Sequence, residues 1–99
     1  MMKKVALKFT YEIDLIEVPD TIADEMTECQ AAFDRWLYDE NNEHSHWILQ
    51  DGEKVAVSFD SQTFVEFLNK YILLSAEEKA IVLKRNVLSV SDKIPVLFF

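Results

Sequence analysis

Two histidines, one cysteine and 18 acidic residues are the side chains of this 99-residue sequence that could do chemistry. His44 and His46 stand two positions apart, so on a strand both rings would point to one face and could supply two metal ligands. A catalytic zinc site normally has three protein ligands, and no HExxH or comparable spacing supplies the third. We expect packed, hydrogen-bonded rings here and no bound metal.

Other catalytic arrangements find little support in the sequence. Cys29 is the only cysteine, which excludes an intramolecular disulfide and a thiolate metal cluster and fits a reducing, cytoplasmic location. It falls within an apolar helical stripe, where a thiol usually packs as a small hydrophobic group. Gly52 is the only glycine, so no glycine-rich phosphate loop can form. The sequence therefore favours a protein that is not an enzyme and needs no cofactor.

The charge is unevenly distributed along the chain. Residues 12–60 hold 14 of the 18 acids and only two bases, Arg35 and Lys54, whereas the remaining residues are net positive and the whole chain carries −8. Such an acidic stretch repels phosphate backbones and disfavours direct binding of nucleic acid. No apolar run approaches the length of a membrane span, so no membrane partner is expected either.

Hydrophobic periodicity predicts the first two elements. Apolar residues occupy every odd position from Val5 to Leu15, which indicates one strand with a buried and a wet face. Beyond it the apolar residues shift to Ile16 and Val18, which indicates a bulge or a strand end. Spacings of three and four from residue 22 to residue 37 then predict a helix over about 21–40.

The middle of the chain contains the clearest turn. Asp51-Gly52 between two apolar segments, 44–50 and 53–59, predicts a hairpin with a two-residue loop. That register places Ile48 opposite Val55 on the core side and Trp47 on the other face.

Two further helices and two short strands complete the prediction. Asp60-Ser61 can cap one helix, and the sequence Ser75-Ala76-Glu77-Glu78 resembles a capping box for another over about 76–85. Strands are predicted at 87–90 and 94–99, the latter confined to a sheet edge by Pro95. The order β-α-β-β-α-α-β-β predicts one α+β domain, residues 1–99, with an antiparallel or mixed sheet packed by helices.

Protein binding is the function that these features favour. The leading hypothesis is a small module or inhibitor that docks a basic protein through the acids of the first helix, with aromatic anchors beside them. A nucleic-acid mimic is a variant of this hypothesis, although acids about 6 Å apart on one helix are sparser than the charge about every 1.7 Å of a DNA duplex. The proposed contact residues are Asp20, Asp24, Glu28, Asp34, Asp39, Trp47 and Phe99.

Two alternatives remain open. The first is a homodimer formed through the Pro95-containing edge strand and exposed aromatic side chains. The second, with less support, is a metal-dependent enzyme that uses His44, His46 and a carboxylate.

Overall fold

The chain begins with a β-hairpin rather than with one long strand. The computed structural model describes residues 1–99 and divides the alternating segment into β1 (Met2–Lys8) and β2 (Ile13–Pro19). The N–H of Phe9 donates to the carbonyl of Glu12 at 2.8 Å and closes the turn between the two strands. The prediction of a single strand to Leu15 is wrong because a turn without glycine or proline interrupts a continuous alternation.

This turn changes which residues of β2 face the core. Val5 pairs with Ile16 and Leu7 with Asp14, and directly opposed residues share a face of the sheet. All four side chains are buried. The even positions of β2 therefore continue the core face that the odd positions of β1 begin, as the shift to Ile16 and Val18 indicates.

The predicted helix over 21–40 is two helices. α1 (Asp20–Ala23) ends at Asp24, and α2 (Met26–Tyr38) begins after Glu25. The apolar stripe of α2 is buried as its spacing predicts, with Met26, Cys29, Phe33 and Leu37 in the core.

A second hairpin joins β3 (Trp47–Gln50) to β4 (Glu53–Val57) and forms a separate two-stranded sheet. The predicted Asp51-Gly52 turn is confirmed, and both residues have positive φ. The predicted pairing of Ile48 with Val55 is wrong, because Val55 is an extra residue on β4 and Ile48 pairs with Ala56. Trp47 consequently lies opposite Val57 and faces the body of the protein.

Residues 61–84, for which two helices are predicted, are helical only in their first half. Asp60 caps α3 (Ser61–Phe67), which continues into a π-helical turn, Leu68–Ile72. The predicted helix over 76–85 is wrong: Ile81–Lys84 form β5, which pairs with β2. The side chain of Asn69 binds both the N–H and the carbonyl of Ala80, at 2.8 and 2.9 Å, and holds the chain at the entry to this strand.

The last strand completes a mixed sheet of order β5-β2-β1-β6. β6 (Val96–Phe98) lies parallel to β1 at the sheet edge, where Pro95 predicts it. No strand forms at 87–90. Since β5 and β6 lie at opposite edges, residues 85–95 run from one edge of the sheet to the other, and they line clefts with Lys8 and Ile13 at one end and with Lys4, Glu17 and Asp24 at the other.

The core lies between the sheet and helices α2 and α3. The ring of Phe33 packs edge-on to Phe64, Phe67 and Phe59 with centroids 5.2–5.5 Å apart. Phe99 also packs edge-on to Phe33 and Phe64. The architecture is thus the predicted α+β class: a mixed four-stranded sheet, a separate hairpin and three helices, arranged in the order β-β-α-α-β-β-α-β-β.

Candidate interaction surface

The histidines are held in a structural network. Nε2 of His44 donates to the carbonyl of Leu37 at 2.8 Å, and Nδ1 accepts the backbone N–H of His46 at 3.2 Å. Because a carbonyl only accepts and an amide N–H only donates, His44 is the neutral Nε2–H tautomer. Its single lone pair is therefore already used. No group of three His, Cys, Asp or Glu side chains converges where it could hold a metal ion.

The cysteine is poorly suited to nucleophilic chemistry. Cys29 is buried on the core side of α2. Burial raises the pKa of its thiol, and the nearby charges of Glu25 and Glu28 raise it further. Because the thiolate is the reactive form, this environment suppresses its reactivity.

Three acids of the negative segment surround one arginine. Arg85 lies 3.4 Å from Asp14, 3.5 Å from Asp60 and 3.8 Å from Glu12, measured between guanidinium nitrogens and carboxylate oxygens. Asp14 is fully buried and also accepts the N–H of Asn86 at 2.9 Å. These three carboxylates are therefore largely committed within the molecule. Sequence reasoning missed this cluster because it placed Asp14 on the wet face of a single strand.

Opposite pKa shifts accompany this arrangement. Burial raises the pKa of Asp14, but the neighbouring side chains of Glu12 and Ser61, the backbone N–H of Asn86 and the charge of Arg85 outweigh it and hold the pKa below its ordinary value. The pKa of Glu12 is raised, chiefly by the adjacent Asp14 carboxyl and also by burial. The two neighbouring carboxyl groups are therefore shifted in opposite directions.

The five acids predicted as contact residues occupy different environments. Asp20 is half-buried at the start of α1, and its carboxylate lies 3.9 Å from the amino group of Met1. Asp24 is exposed but lines a 510 Å³ cleft that also contains Lys3, Lys4 and Lys93. The remaining three, Glu28, Asp34 and Asp39, are exposed on or just after α2.

The acids that follow α2 meet the tip of the second hairpin. A cleft of 510 Å³ is lined by Glu40, Asn41, Gly52, Glu53 and Lys54. Lys54 is the only base there, and its ammonium group donates to the carbonyl of Glu40 and to the carboxylate of Glu43, the latter at 2.9 Å. The carboxylates of Glu40 and Glu53 remain exposed and have no ion-pair partner.

We call the set of exposed carboxylates on α2 and around this cleft the acidic surface; its members are Glu28, Asp34, Asp39, Glu40 and Glu53. Partial burial raises the pKa of Asp34. Arg35 is the only base within α2. The members of the acidic surface extend along the chain from the first turn of this helix to the hairpin tip.

The two predicted aromatic anchors are both half-buried. Phe99 stacks on Phe9 with centroids 5.1 Å apart and packs against the core cluster. Trp47 stacks on His44 at 5.0 Å, and its indole N–H donates to the carbonyl of Asn42 at 2.7 Å. The ammonium group of Lys54 lies 5.2 Å from the centroid of the Trp47 ring. Both rings therefore make extensive contacts within the molecule.

Two apolar side chains that the sequence assigns to the core side, those of Ile48 and Val55, are exposed on the second hairpin instead. Together with Leu49, predicted on the other face, they are 46%, 53% and 60% exposed in the order Ile48, Val55, Leu49. No local signal indicates this exposure, because the bulge at Val55 involves neither glycine nor proline.

The comparisons with known proteins return no relative: no family model, no curated protein and no solved structure matches this chain. No helix of the chain combines the length and the apolar character needed to cross a bilayer.

Proposed function

We propose that this chain is a non-enzymatic protein-binding module that docks a basic protein through its acidic surface. The observation that carries the proposal is the cleft at the hairpin tip, where Glu40 and Glu53 are exposed and unpaired while the one nearby base, Lys54, is held by internal contacts. A surface whose own base is occupied internally leaves its negative charge available to another molecule.

The distribution of the other charges supports this choice of surface. Glu12, Asp14 and Asp60 surround Arg85, and Asp24 faces three lysines across a cleft. Bases of the same chain partly offset these acids, whereas the exposed acids of α2 and the hairpin tip have no ion-pair partner. The proposed contact set therefore gains Glu40 and Glu53 and loses Asp20, Asp24, Trp47 and Phe99.

The same geometry weighs against the nucleic-acid mimic as the form of this module. Between Glu28 and Asp34, six residues of helix correspond to about 9 Å along the axis, against one charge about every 1.7 Å on duplex DNA. This wide spacing matches a partner that carries a few separate lysines or arginines. It matches less well a DNA-binding groove, which contacts closely spaced phosphates.

Complementary charge of this kind mainly accelerates encounter. Rim charges raise the association rate and make it sensitive to salt, whereas the lifetime of a complex depends more on packed contacts. We therefore assign the acidic surface a steering role.

A titration of the isotope-labelled protein with a lysine-rich peptide tests the location of the site. We expect amide shifts to concentrate on α2 and the hairpin tip and to weaken as salt rises. A variant with Glu28, Asp39 and Glu53 changed to lysine should lose these shifts. The matched control changes Glu66, Glu77 and Asp92, which are exposed elsewhere, to lysine, and it should keep them. Shifts spread evenly over the molecule, or lost equally in both variants, would refute the proposed surface.

Self-association is a second candidate, favoured by one observation. On the edge strand β6, Val96 and Phe98 expose apolar side chains, and Phe98 is 64% exposed. Pro95 has no N–H, and the side chain of Gln30 already binds the carbonyl of Phe98 at 2.6 Å, so little of this edge remains free for pairing. Light scattering at high concentration distinguishes the cases: a dimer that Phe98→Ser disperses would favour this candidate, and a monomer would exclude it.

A further inference from the structure

The two strands of the second hairpin differ in how well their outer edges are protected. β4 carries charged Glu53 and Lys54 and the bulge at Val55, which are features that discourage edge-to-edge pairing. β3 has the sequence Trp-Ile-Leu-Gln, with no charge, no proline and no bulged residue. Its edge is the unprotected one.

The backbone of Leu49 points to this open edge. Gln50 pairs with Glu53 next to the two-residue turn, which makes them a hydrogen-bonded pair and leaves the N–H and carbonyl of Leu49 directed outward. The hydrogen bond from the Ser58 N–H to the His46 carbonyl, 2.8 Å long, fixes the other end of the ladder. None of the backbone hydrogen bonds outside the helices and strands involves Leu49.

We infer that the outer edge of β3 accepts an extended segment of the partner as a third strand, and that this segment combines basic with apolar residues. The inference rests on the proposed function, and it specifies how the partner is held. The unpaired atoms of Leu49 supply ladder hydrogen bonds, while the exposed side chains of Ile48 and Leu49 supply apolar contact.

Charge selects the occupant of this edge. The strand ends at the turn residue Asp51, and its last residue, Gln50, pairs with Glu53, so the end of an added segment comes near these two carboxylates. Lysine or arginine at its alternate positions would complement them. A second copy of this chain would bring its own Asp51 and Glu53 to the site together with a net charge of −8, which opposes pairing of two hairpins.

Hydrogen exchange with designed peptides tests the inference. The first peptide alternates lysine and valine over about ten residues, the second has the same sequence with N-methyl groups on alternate residues, and the third contains lysine only. We expect the first peptide to slow exchange of the Leu49 amide and to bind about tenfold more tightly than the N-methylated one, which cannot complete the ladder.

A pair of variants checks the same point on the protein. Leu49→Thr keeps the outward N–H, whereas Leu49→Pro removes it, and both lose the apolar side chain. We expect the alternating peptide to bind Leu49→Thr about tenfold more tightly than Leu49→Pro. If Leu49→Pro does not fold, the affinities of the unaltered protein for the alternating and the N-methylated peptide still test strand addition.

The outcomes separate the two proposals. If all three peptides shift the acidic surface equally and the Leu49 amide gains no protection, strand addition is refuted while the acidic docking surface stands. If none of them binds, both proposals fail. Protection of Leu49 without any peptide, growing with protein concentration, would show that a second copy occupies the edge and would overturn the basic-segment assignment.

Discussion

The Nε atom of Arg85 lies 3.4 Å from Oδ2 of Asp14, a carboxylate that is fully buried between the sheet and α3. The next residue, Asn86, donates its backbone N–H to the other oxygen of Asp14. The end of β5 is therefore fastened to β2 through one buried side chain. Because Asp14 is buried and paired, its negative charge is not available at the surface. The contact therefore affects both the free energy of unfolding and the distribution of surface charge.

Replacing Arg85 by alanine should destabilise the protein. The variant leaves the buried Asp14 carboxylate without its cation, and we expect the free energy of unfolding to fall by about 1–3 kcal/mol. Urea denaturation followed by tryptophan fluorescence measures the change. Lys84→Ala is the matched control, because Lys84 precedes Arg85 in the chain and its side chain is exposed. This substitution should change the free energy of unfolding by no more than about 0.5 kcal/mol. Equal effects of the two substitutions would show that the contact contributes nothing.

The stability contributed by Asp14 should depend on pH. Because its pKa is lower in the folded state, this contribution is fully present above the unfolded pKa of about 3.9 and is lost as pH falls through the lower folded value. Asp14→Asn should therefore be less stable than the parent protein at pH 7. The gap should narrow below about pH 4. Urea denaturation across this range measures it, and a gap independent of pH would contradict the shift.

Glu12 should show the opposite dependence. Its pKa is raised in the folded state, so folding favours the protonated form and ionisation above the unfolded pKa of about 4.3 costs stability. Glu12→Gln keeps a donor toward Asp14 and cannot ionise. Relative to the parent protein, this variant should gain stability as pH rises from about 4 to about 7. A relative loss of stability over the same range would contradict the raised pKa of Glu12.

Much of the fold could be predicted from local sequence signals. The apolar stripe of α2, the Asp51-Gly52 turn, the Asp60 cap and the edge position of β6 all follow from residue types at short range. The α+β class follows from them as well.

The errors have a common physical origin in long-range contacts. Ile81 and Val82 form a strand because Glu17 and Ile16 of β2 pair with them, and this pairing outweighs the capping-box pattern at Ser75. The bulge at Val55 likewise reverses which side chains of the hairpin face the core, and no glycine or proline in β4 indicates its position. Pairing partners distant in sequence cannot be read from a local pattern.

The candidate surface was partly predictable for the same reason. Glu28, Asp34 and Asp39 are exposed wherever the apolar stripe of α2 is buried, so helical periodicity alone places them. The ion pairs of Glu12, Asp14 and Asp60 with Arg85 depend on bringing β2, α3 and β5 together, and no spacing in the sequence reveals them.

His44 should be a structural residue with a fixed tautomer. His44→Ala removes two hydrogen bonds to the backbone and the stacking partner of Trp47, and we expect a loss of about 1–3 kcal/mol in the free energy of unfolding. His46→Ala, which removes a ring without comparable bonds, should cost less. Nitrogen chemical shifts of the His44 ring should show a protonated Nε2 and an unprotonated Nδ1 at neutral pH. Zinc ions should leave them unchanged, and a shift of Nδ1 on addition of zinc would revive the metal hypothesis.

The association rate of the protein with the lysine-rich peptide tests the central claim most directly. Stopped-flow measurements should show this rate falling by about tenfold or more as salt rises from about 20 to about 300 mM, because screening removes the steering field. At low salt the Glu28, Asp39 and Glu53 charge-reversal variant should associate more slowly than the Glu66, Glu77 and Asp92 control, which has the same net charge. A rate that does not change with salt, or equal rates for the two variants, would contradict the account.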